Sequence, residues 1–312
     1  MPSLSQFLLA VLQAVLFLAA APLLSGFMRV IRAKMHTRHG PGVLQDYRDI
    51  IKLMKRQDLR PPASGFVFRL VPVILPATLM VIAMGIPVVG RTAPVTAFSD
   101  LITVIYLFAL VRFFFSLSGL DSGSSFAGIG ASRELTLGVL VEPVMLLSLM
   151  VAALLAGSTD LGAIGTAVGT LQMSSLAATV MAGVAFAFAV YVELGKLPYD
   201  MAEAEQELQE GPLTEYSGPS LAMIKVSLAL KQLLVVAWFI AVFLPFGKAT
   251  SMAPLALAGS FLLFVLEMVA IFVVVGIVEN SVARTRFRLT PRHSWLGVGI
   301  ASLAFVFYLA GL

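Results

Sequence analysis

Residues 193–218 read ELGKLPYDMAEAEQELQEGPLTEYSG and separate two strongly apolar stretches, at about 175–195 and 221–244. Each apolar stretch is long enough to cross the hydrocarbon core of a bilayer as a helix of about 20 residues. The segment between them holds seven of the seventeen acidic residues of the chain. A membrane-embedded chain does not need this charge for solubility, so the acids indicate a partner, an ion or a proton.

The composition indicates a polytopic membrane protein. Of the 312 residues, 59% are hydrophobic and only 12% are charged, and apolar runs recur along the chain with short polar connections. Runs such as 261–278 are apolar on every side, which favours helices over a β-barrel. We therefore predict an all-α polytopic membrane protein that forms a single integral membrane domain over residues 1–312. Its eight predicted transmembrane helices are 5–28, 67–89, 99–118, 135–157, 175–195, 221–244, 254–279 and 294–312.

The basic residues predict the orientation, because they concentrate in or beside the odd-numbered loops. The even-numbered loops contain only Arg91 and Lys248. The formal net charge of +4 is therefore a topology signal and a weak argument for nucleic-acid binding. The pattern places both termini outside the membrane and residues 29–66, 119–134, 196–220 and 280–293 inside. The basic residues in question are Arg29, Arg32, Lys34, Arg38, Arg48, Lys52, Lys55, Arg56, Arg60, Arg112, Arg133, Lys196, Lys225, Arg284, Arg286, Arg288 and Arg292.

The chain offers few ligands for a metal or a redox cofactor. It contains no cysteine, which excludes disulfides, thiolate metal sites and iron–sulfur ligation on this chain. The three histidines, His36, His39 and His293, lack the spacing of metal ligands and lie in basic inner loops. We expect no metal and no redox cofactor on this chain.

The acidic segment predicts a short helix over 201–210, capped by Asp200 and stopped at Gly211. Such a helix would place several carboxylates on one face, namely Glu203, Glu207 and Glu210. Mutual repulsion and partial burial would raise the pKa of some of them, which suits proton transfer. A solvated loop is the alternative, but leucines and tyrosines interleave with the acids and favour a segment packed against protein.

Residues 43–56 predict an amphipathic helix on the inner surface. Apolar residues recur there at helical spacing, with polar residues on the other side. Two roles stay open for this helix. It anchors to the membrane surface, or its polar face docks a soluble subunit.

Glutamates also occur within the predicted spans. Glu142 and Glu267 lie well inside their spans, whereas Glu193 and Glu279 lie close to inner ends. An unpaired charge in the membrane costs a few kcal/mol, so such residues mark an ion or proton path by default. For Glu267, a neutral, hydrogen-bonded packing residue is an equal alternative.

The residues and spacing of these motifs resemble those of a known family. The stretch Glu193–Gly218 is similar to the signature of respiratory complex I subunit 1, the membrane subunit that borders the quinone chamber. Residues 38–41 and 44–53 resemble its first inner loop, and Glu142 falls where that family places a membrane glutamate. Within the family, residues 40–49, 118–123, 130–134 and 203–216 resemble most closely the branch that serves membrane-bound nickel–iron (NiFe) hydrogenases, the formate hydrogenlyase subunit 4 and hydrogenase-4 component C type.

The resemblance implies a non-catalytic subunit of an oxidoreductase complex in the bacterial cytoplasmic (inner) membrane. Its implied partners are the hydrogenase large and small subunits, an iron–sulfur subunit and antiporter-like membrane subunits, with the NiFe centre and iron–sulfur clusters on those partners. The implied proton or ion path comprises Glu142, Glu193, Asp200, Glu203, Glu205, Glu207, Glu210, Glu215, Glu267 and Glu279. The implied docking residues for the redox arm are Arg38, Gly40, Pro41, Gln45, Asp46, Arg48, Asp49, Lys52, Arg133 and Tyr216.

Two departures from the complex I pattern argue against a bound quinone. The first inner loop is several residues shorter between Pro41 and Leu44, and residues 284–295 follow the family's ending only loosely. Two alternatives to the hydrogenase interpretation remain: a quinone-site subunit of a complex I-like NADH:quinone oxidoreductase, and a stand-alone proton or cation transporter. A transporter would need paired broken helices around a central site, and the sequence has no clear pair.

Overall fold

The computed structural model describes residues 3–170, 175–251 and 253–311. Within these ranges the regular structure is helical, apart from two isolated backbone bridges, so the predicted all-α class is confirmed. The helices are α1 (Leu4–Met35), α2 (Gln45–Met54), α3 (Phe66–Gly85), α4 (Leu101–Asp121), α5 (Ser125–Ala156), α6 (Leu161–Gly169), α7 (Leu176–Glu193), α8 (Glu205–Leu208), α9 (Gly218–Phe243), α10 (Pro254–Ser281) and α11 (Thr290–Ala310).

Eight helices in the described part of the chain are long and apolar enough to cross a membrane, as predicted. They are α1, α3, α4, α5, α7, α9, α10 and α11. The predicted bounds of the fourth span were too short, because α5 has 32 residues and begins at Ser125. Residues 119–134 are therefore helical apart from 122–124, whereas their location inside stays a prediction. Their small residues continue the helix because Gly130 is buried against the acidic segment and Ala127 and Ala131 are buried beside Gly119 of α4.

Helix α9 lies at the centre of the bundle and packs against α1, α3, α7 and α10. Helix α7 packs between α5 and α11 on the other side. The core between them is largely apolar, and Trp238 of α9 lies against Phe108 and Phe186, with ring centroids 5.4 and 5.2 Å away. Two basic side chains also enter this core, from the middle of α4 and the middle of α9.

Three shorter α-helices and three 3-10 turns, at Thr96–Phe98, Gly211–Leu213 and Phe287–Leu289, are also found in the described part of the chain. Helix α2 confirms the amphipathic helix predicted over 43–56, with slightly shorter bounds. Helix α6, with Asp160 capping its first turn, was not predicted. The acidic helix exists, but α8 covers only Glu205–Leu208, so the predicted bounds of 201–210 were wrong.

Packing against α5 explains why the acidic helix is short. Ala204, Gln209 and Glu210 have φ values of 29°, 50° and 69°, which no right-handed helix contains. A Cβ added at Gly130 of α5 would lie 2.8 Å from the Ala202 carbonyl oxygen. The acidic segment thus follows the surface of α5 instead of its own helical propensity.

Candidate functional site: a buried charge network beside two inner cavities

The guanidinium of Arg112 contacts three carboxylates inside the helix bundle. It pairs with Glu142 at 2.8 Å, with Glu134 at 3.6 Å and, closest of all, with Glu193. The ammonium group of Lys231 lies 3.1 Å from Glu193 and 3.8 Å from Glu134. Two cations therefore share three acids that come from α5 and from the end of α7.

This network is embedded in protein on one side and reaches the bundle surface on the other. The side chains of Arg112 and Glu193 are 9% and 4% exposed, whereas that of Glu142 is 38% exposed. The prediction that Arg112 flanks an inner loop was wrong, because Arg112 lies midway along α4. Its charge is tolerated there since three carboxylates replace its hydration.

A glycine in α5 makes room for the guanidinium. A Cβ added at Gly138 would lie 2.6 Å from Nη1 and 2.7 Å from Cδ of Arg112, closer than real Cβ atoms approach their neighbours. The absence of a side chain at this position lets α4 and α5 approach with the arginine between them. Gly138 is therefore part of the site although it carries no functional group.

A cavity of about 60 Å³ adjoins the network on the side of the acidic segment. Arg112, Glu134, Glu193 and Lys231 line it together with groups of the segment that follows α7. The charged groups in its otherwise apolar wall and a volume of several water molecules suit a hydrated proton path. The lining residues from the acidic segment include Asp200 and Glu203.

Glu203 lies in the wall between this cavity and a larger one. Burial, and then the negative charge of Asp200, raises the pKa of Glu203 to about 7, although the positive charge of Lys196 opposes the shift. A carboxyl group with this pKa exchanges its proton readily near neutral pH. Its position makes Glu203 the natural link between the two cavities.

The larger cavity has a volume of about 250 Å³ and lies between α1, α2, α9 and α10. Glu203, Leu228 and Gln232 line both cavities. Ion pairs surround the larger one. They are Arg32–Glu279 at 2.8 Å, Arg29–Asp46 at 2.9 Å and Lys225–Glu210 at 3.5 Å.

Small residues and ion pairs position the acidic segment. Pro212 packs against Gly130, where an added Cβ would lie 2.8 Å from its Cδ atom. Asp200 pairs with Arg284 at 2.6 Å, which ties the segment to the loop before α11. Glu207 pairs with Arg133 of α5 at 2.8 Å. The motifs around 118–123, 130–134 and 211–212 thus meet in one packing contact between α4, α5 and the acidic segment.

Comparison with known proteins places this geometry in a family. A family model described as NADH dehydrogenase matches residues 7–310.

The chain belongs to the NADH dehydrogenase family.

Two relatives in this family match nearly the whole chain. Hydrogenase-4 component C of Escherichia coli is 53% identical over 97% of this chain and 96% of the relative. Formate hydrogenlyase subunit 4 of Escherichia coli is 50% identical over 96% of this chain and 97% of the relative. A more distant relative, NADH-quinone oxidoreductase subunit 8 of Rhodothermus marinus, is 30% identical over 75% of this chain and 72% of the relative. The relationship predicted from the motifs is confirmed.

A solved structure supports the fold. A chain in the structure of the membrane-bound sulfane sulfur reductase, an archaeal respiratory membrane complex, superposes with a TM-score of 0.88. The superposition covers 98% of this chain and 100% of that one, at 22% identity. The helices of this NADH dehydrogenase family member therefore follow a fold found in respiratory membrane complexes.

The structure brings together part of the predicted path. Glu142, Glu193, Asp200 and Glu203 belong to the network or line the smaller cavity, and Glu210 and Glu279 line the larger one. Glu207 is exposed beside Arg133, and the side chain of Glu205 lies outside the described part of the structure.

Glu215 and Glu267 line neither inner cavity. Glu267 faces a different charge, Lys248, which lies beyond the C-terminal end of α9. Burial lowers the pKa of Lys248 to about 8, and the negative charge of Glu267 opposes the shift. Glu267 is thus separated from the network that contains Glu142.

The predicted docking residues fall into two groups. Arg38, Gly40, Pro41, Arg48 and Lys52 are exposed, and Arg133 is half-buried. The others contact the protein itself. Gln45 donates to Asp49 at 3.0 Å, Asp46 is buried against Arg29, and the Tyr216 hydroxyl donates to the Phe68 carbonyl at 2.9 Å. Tyr216 also stacks on Phe68, with ring centroids 3.9 Å apart.

Sequence reasoning missed three members of the network, namely Arg112, Glu134 and Lys231. Arg112 and Lys231 carried a usable signal, because each is a basic residue within an apolar span, where a charge requires a partner. Glu134 gave no such signal, because it lies in a stretch predicted to be a loop.

Proposed function

We propose that this chain is the membrane-anchoring, proton- or ion-coupling subunit of a multisubunit membrane-bound NiFe hydrogenase of the hydrogenase-4 or formate hydrogenlyase type. The near full-length similarity to hydrogenase-4 component C and formate hydrogenlyase subunit 4 supports the type of complex. The network around Arg112 supports the coupling role, because it joins carboxylates of the inner cavities to a carboxylate on the surface of a membrane-spanning helix.

The proposed path begins in the 250 Å³ cavity and passes Glu203 into the 60 Å³ cavity. There a proton reaches Glu134 and Glu193, whose charges are balanced by Arg112 and Lys231. The two cations are shared among three carboxylates, so the network carries one uncompensated negative charge when all five groups are ionised. The path ends at Glu142.

The exposure of Glu142 supports a membrane partner. Its side chain is 38% exposed, and it lies in the membrane-spanning helix α5. A carboxylate facing lipid costs a few kcal/mol, so a partner with polar groups at this depth would stabilise it. We assign this surface to an antiporter-like membrane subunit, which would receive the proton.

The inner loops are proposed to dock the redox arm. The exposed residues Arg38, Gly40 and Pro41, together with the acidic segment beside Arg133, form the accessible surface at this end. The hydrogenase large and small subunits and an iron–sulfur subunit would bind there and would carry the NiFe centre and the clusters. The proposal includes a bacterial cytoplasmic membrane location, both termini outside and one integral membrane domain.

A resident quinone does not fit the larger cavity well. Nine of the residues that line it are ionisable, and they include both acidic and basic side chains. A quinone ring with an isoprenoid tail needs a mainly apolar passage. We therefore propose that the purified complex retains no stoichiometric quinone, and retention of one would favour the quinone-site alternative.

The first test is co-purification. An affinity tag on this chain should recover a NiFe large subunit from membranes solubilised in mild detergent. Recovery of the chain by itself, in every mild detergent tried, would contradict a role as a complex subunit and would favour the transporter alternative.

The second test addresses the path. Glu142→Gln keeps the size and hydrogen bonding of the side chain but releases no proton, so the complex should assemble while coupled hydrogen turnover falls about tenfold or more. Glu142→Leu should also reduce complex yield, since it leaves Arg112 with one partner fewer. Glu215→Gln, at a carboxylate that lines neither inner cavity, is the matched control. Wild-type turnover and proton coupling in Glu142→Gln would show that Glu142 is structural.

A further inference from the structure

Helix α2 presents three different faces, whereas the sequence suggested two. The face toward the bundle contains Asp46, Asp49, Ile50 and Leu53, which line the larger cavity. Both acids of the helix therefore lie on the cavity side and pair with Arg29; Asp46 is buried there, and Asp49 is half-exposed at its edge. Both negative charges of α2 are therefore paired with Arg29 and lie away from the outward side of the helix.

The outward side consists of an apolar arc and a basic arc. Leu44, Ile51 and Met54 form the apolar arc and are 55%, 54% and 53% exposed. The basic arc is exposed as well. It comprises Arg48, Lys52, Lys55 and Arg56, and these four side chains take part in none of the ion pairs among the described residues. Leu44 caps the start of α2, and Lys55 and Arg56 follow its last residue. At 3.6 residues per turn the two arcs lie side by side along the helix and its ends.

Contacts with α1 indicate the depth of α2 in the membrane. The Tyr47 hydroxyl donates to the Ala19 carbonyl, and the Val43 carbonyl packs directly on Gly26. At 1.5 Å per residue, Ala19 and Gly26 lie roughly 22 and 33 Å along the helix from Leu4. Arg29 is the first charged residue of α1, so a hydrocarbon core of about 30 Å that precedes it ends near the level of α2.

We propose that α2 is an anionic phospholipid-binding helix of the inner leaflet. Its apolar arc lies among acyl chains, and Arg48, Lys52, Lys55 and Arg56 bind the phosphodiester groups of anionic lipids. A uniformly positive arc beside exposed leucine, isoleucine and methionine, at the depth of the headgroups, matches the two ends of a phospholipid. The proposal rests on the proposed function only in naming the inner leaflet.

The absence of cysteine from the chain allows a site-specific test. Met54→Cys carries a bimane label in the intact complex, which is reconstituted in nanodiscs. The discs contain doxyl-labelled phosphatidylglycerol in one sample and doxyl-labelled phosphatidylcholine in another. Label bound to cysteines of other subunits is measured on the complex with the unmodified chain and subtracted. Leu303→Cys on the exposed side of α11 is the matched control.

Enrichment of anionic lipid beside α2 should make quenching at Met54→Cys about twofold or more stronger with phosphatidylglycerol than with phosphatidylcholine. The control should be quenched equally by both lipids. Combining Met54→Cys with Arg48→Gln, Lys52→Gln, Lys55→Gln and Arg56→Gln should bring the ratio to that of the control. Should this variant fail to assemble, Lys52→Gln with Arg56→Gln should lower the ratio part-way.

Two results would overturn the proposal. Absence of quenching by either lipid would show that a protein subunit covers α2, which is the docking alternative. Equal quenching by both lipids in the Met54→Cys complex would show that the helix inserts without recognising lipid charge. Loss of hydrogenase subunits from the preparation would instead contradict the proposed function, and the ratio at Met54→Cys would still report on the lipid.

Discussion

Arg112 shares one guanidinium among three carboxylates within the membrane, and this sharing restricts the neighbouring position Gly138. Gly138→Ala would place a Cβ 2.6 Å from Nη1 of Arg112, so the arginine or α5 must shift. We expect a loss of about 1–3 kcal/mol in the free energy of unfolding, typical of an overpacked core, together with lower coupled turnover. Thermal unfolding and hydrogen turnover of the purified complex measure both effects.

Gly128→Ala in the same helix is the matched control. A Cβ added at Gly128 meets no atom within 4 Å, so this change should leave stability unchanged or raise it slightly through better helix propensity. Equal unfolding temperatures and equal turnover in the two alanine variants would show that Arg112 can accommodate a Cβ at position 138.

Glu203 makes a prediction about pH. Its pKa is about 7 in the folded protein against 4.5 for an ordinary glutamate, so the folded state holds the proton more tightly than the unfolded state. This contribution to stability is present at low pH and is lost as the pH rises from about 4.5 through 7. In Glu203→Gln the unfolding temperature should therefore fall less between pH 6 and pH 8 than in the wild type.

Glu207→Gln serves as the control for this pH effect, because Glu207 is an exposed acid of the same segment. It should keep the wild-type slope of unfolding temperature against pH. A wild-type slope in Glu203→Gln as well would mean that Glu203 titrates as an ordinary glutamate.

At the scale of elements, the first turns of α5 and the acidic segment form one unit. Gly130 of α5 approaches the Ala202 carbonyl and Pro212 so closely that a Cβ would lie 2.8 Å from each. Gly130→Ala should push the segment away from α5, which exposes its acidic residues and, under the proposed docking, weakens assembly with the redox arm. A glutamate-specific protease should then cut within 203–215 several times faster than in the wild type.

Gly128→Ala is again the control, since both glycines lie in the first turns of α5. In this variant the acidic segment should keep its position and its wild-type rate of proteolysis. Equal proteolysis rates in the two variants would show that the contact with Gly130 does not determine the conformation of the acidic segment.

At the scale of the whole molecule, the distribution of basic residues predicts both termini outside. Fluorescent protein fusions that fold only inside should fluoresce after Lys55 and Arg288, and alkaline phosphatase fusions should be active after Arg91 and Lys248. The eight spans require the C-terminus to lie on the same side as the N-terminus. A fluorescent C-terminal fusion would reverse the assigned orientation or change the number of spans.

The eight spans, the amphipathic helix and the family were predictable from the amino-acid sequence. Apolar runs of about 20 residues report directly on transfer into a bilayer, and this local property needs no knowledge of neighbours. Helix α2 was predictable for a similar reason, because the helical periodicity of its apolar residues is contained within ten residues. The family was predictable because the order of the residues over 193–218 matches its signature.

Only the tertiary structure decided which charges meet. Arg112, Glu134 and Lys231 come from α4, α5 and α9, and their ion pairs depend on how three helices pack, which no local pattern encodes. The same packing shortened the acidic helix, since contacts with Gly130 outweigh helical propensity in a segment of ten residues. It also paired the two acids of α2 with Arg29 of α1 on the cavity side, and it left the bases of α2 on the outward side. Local sequence reports the environment that each segment needs, and the packed bundle determines which groups provide it.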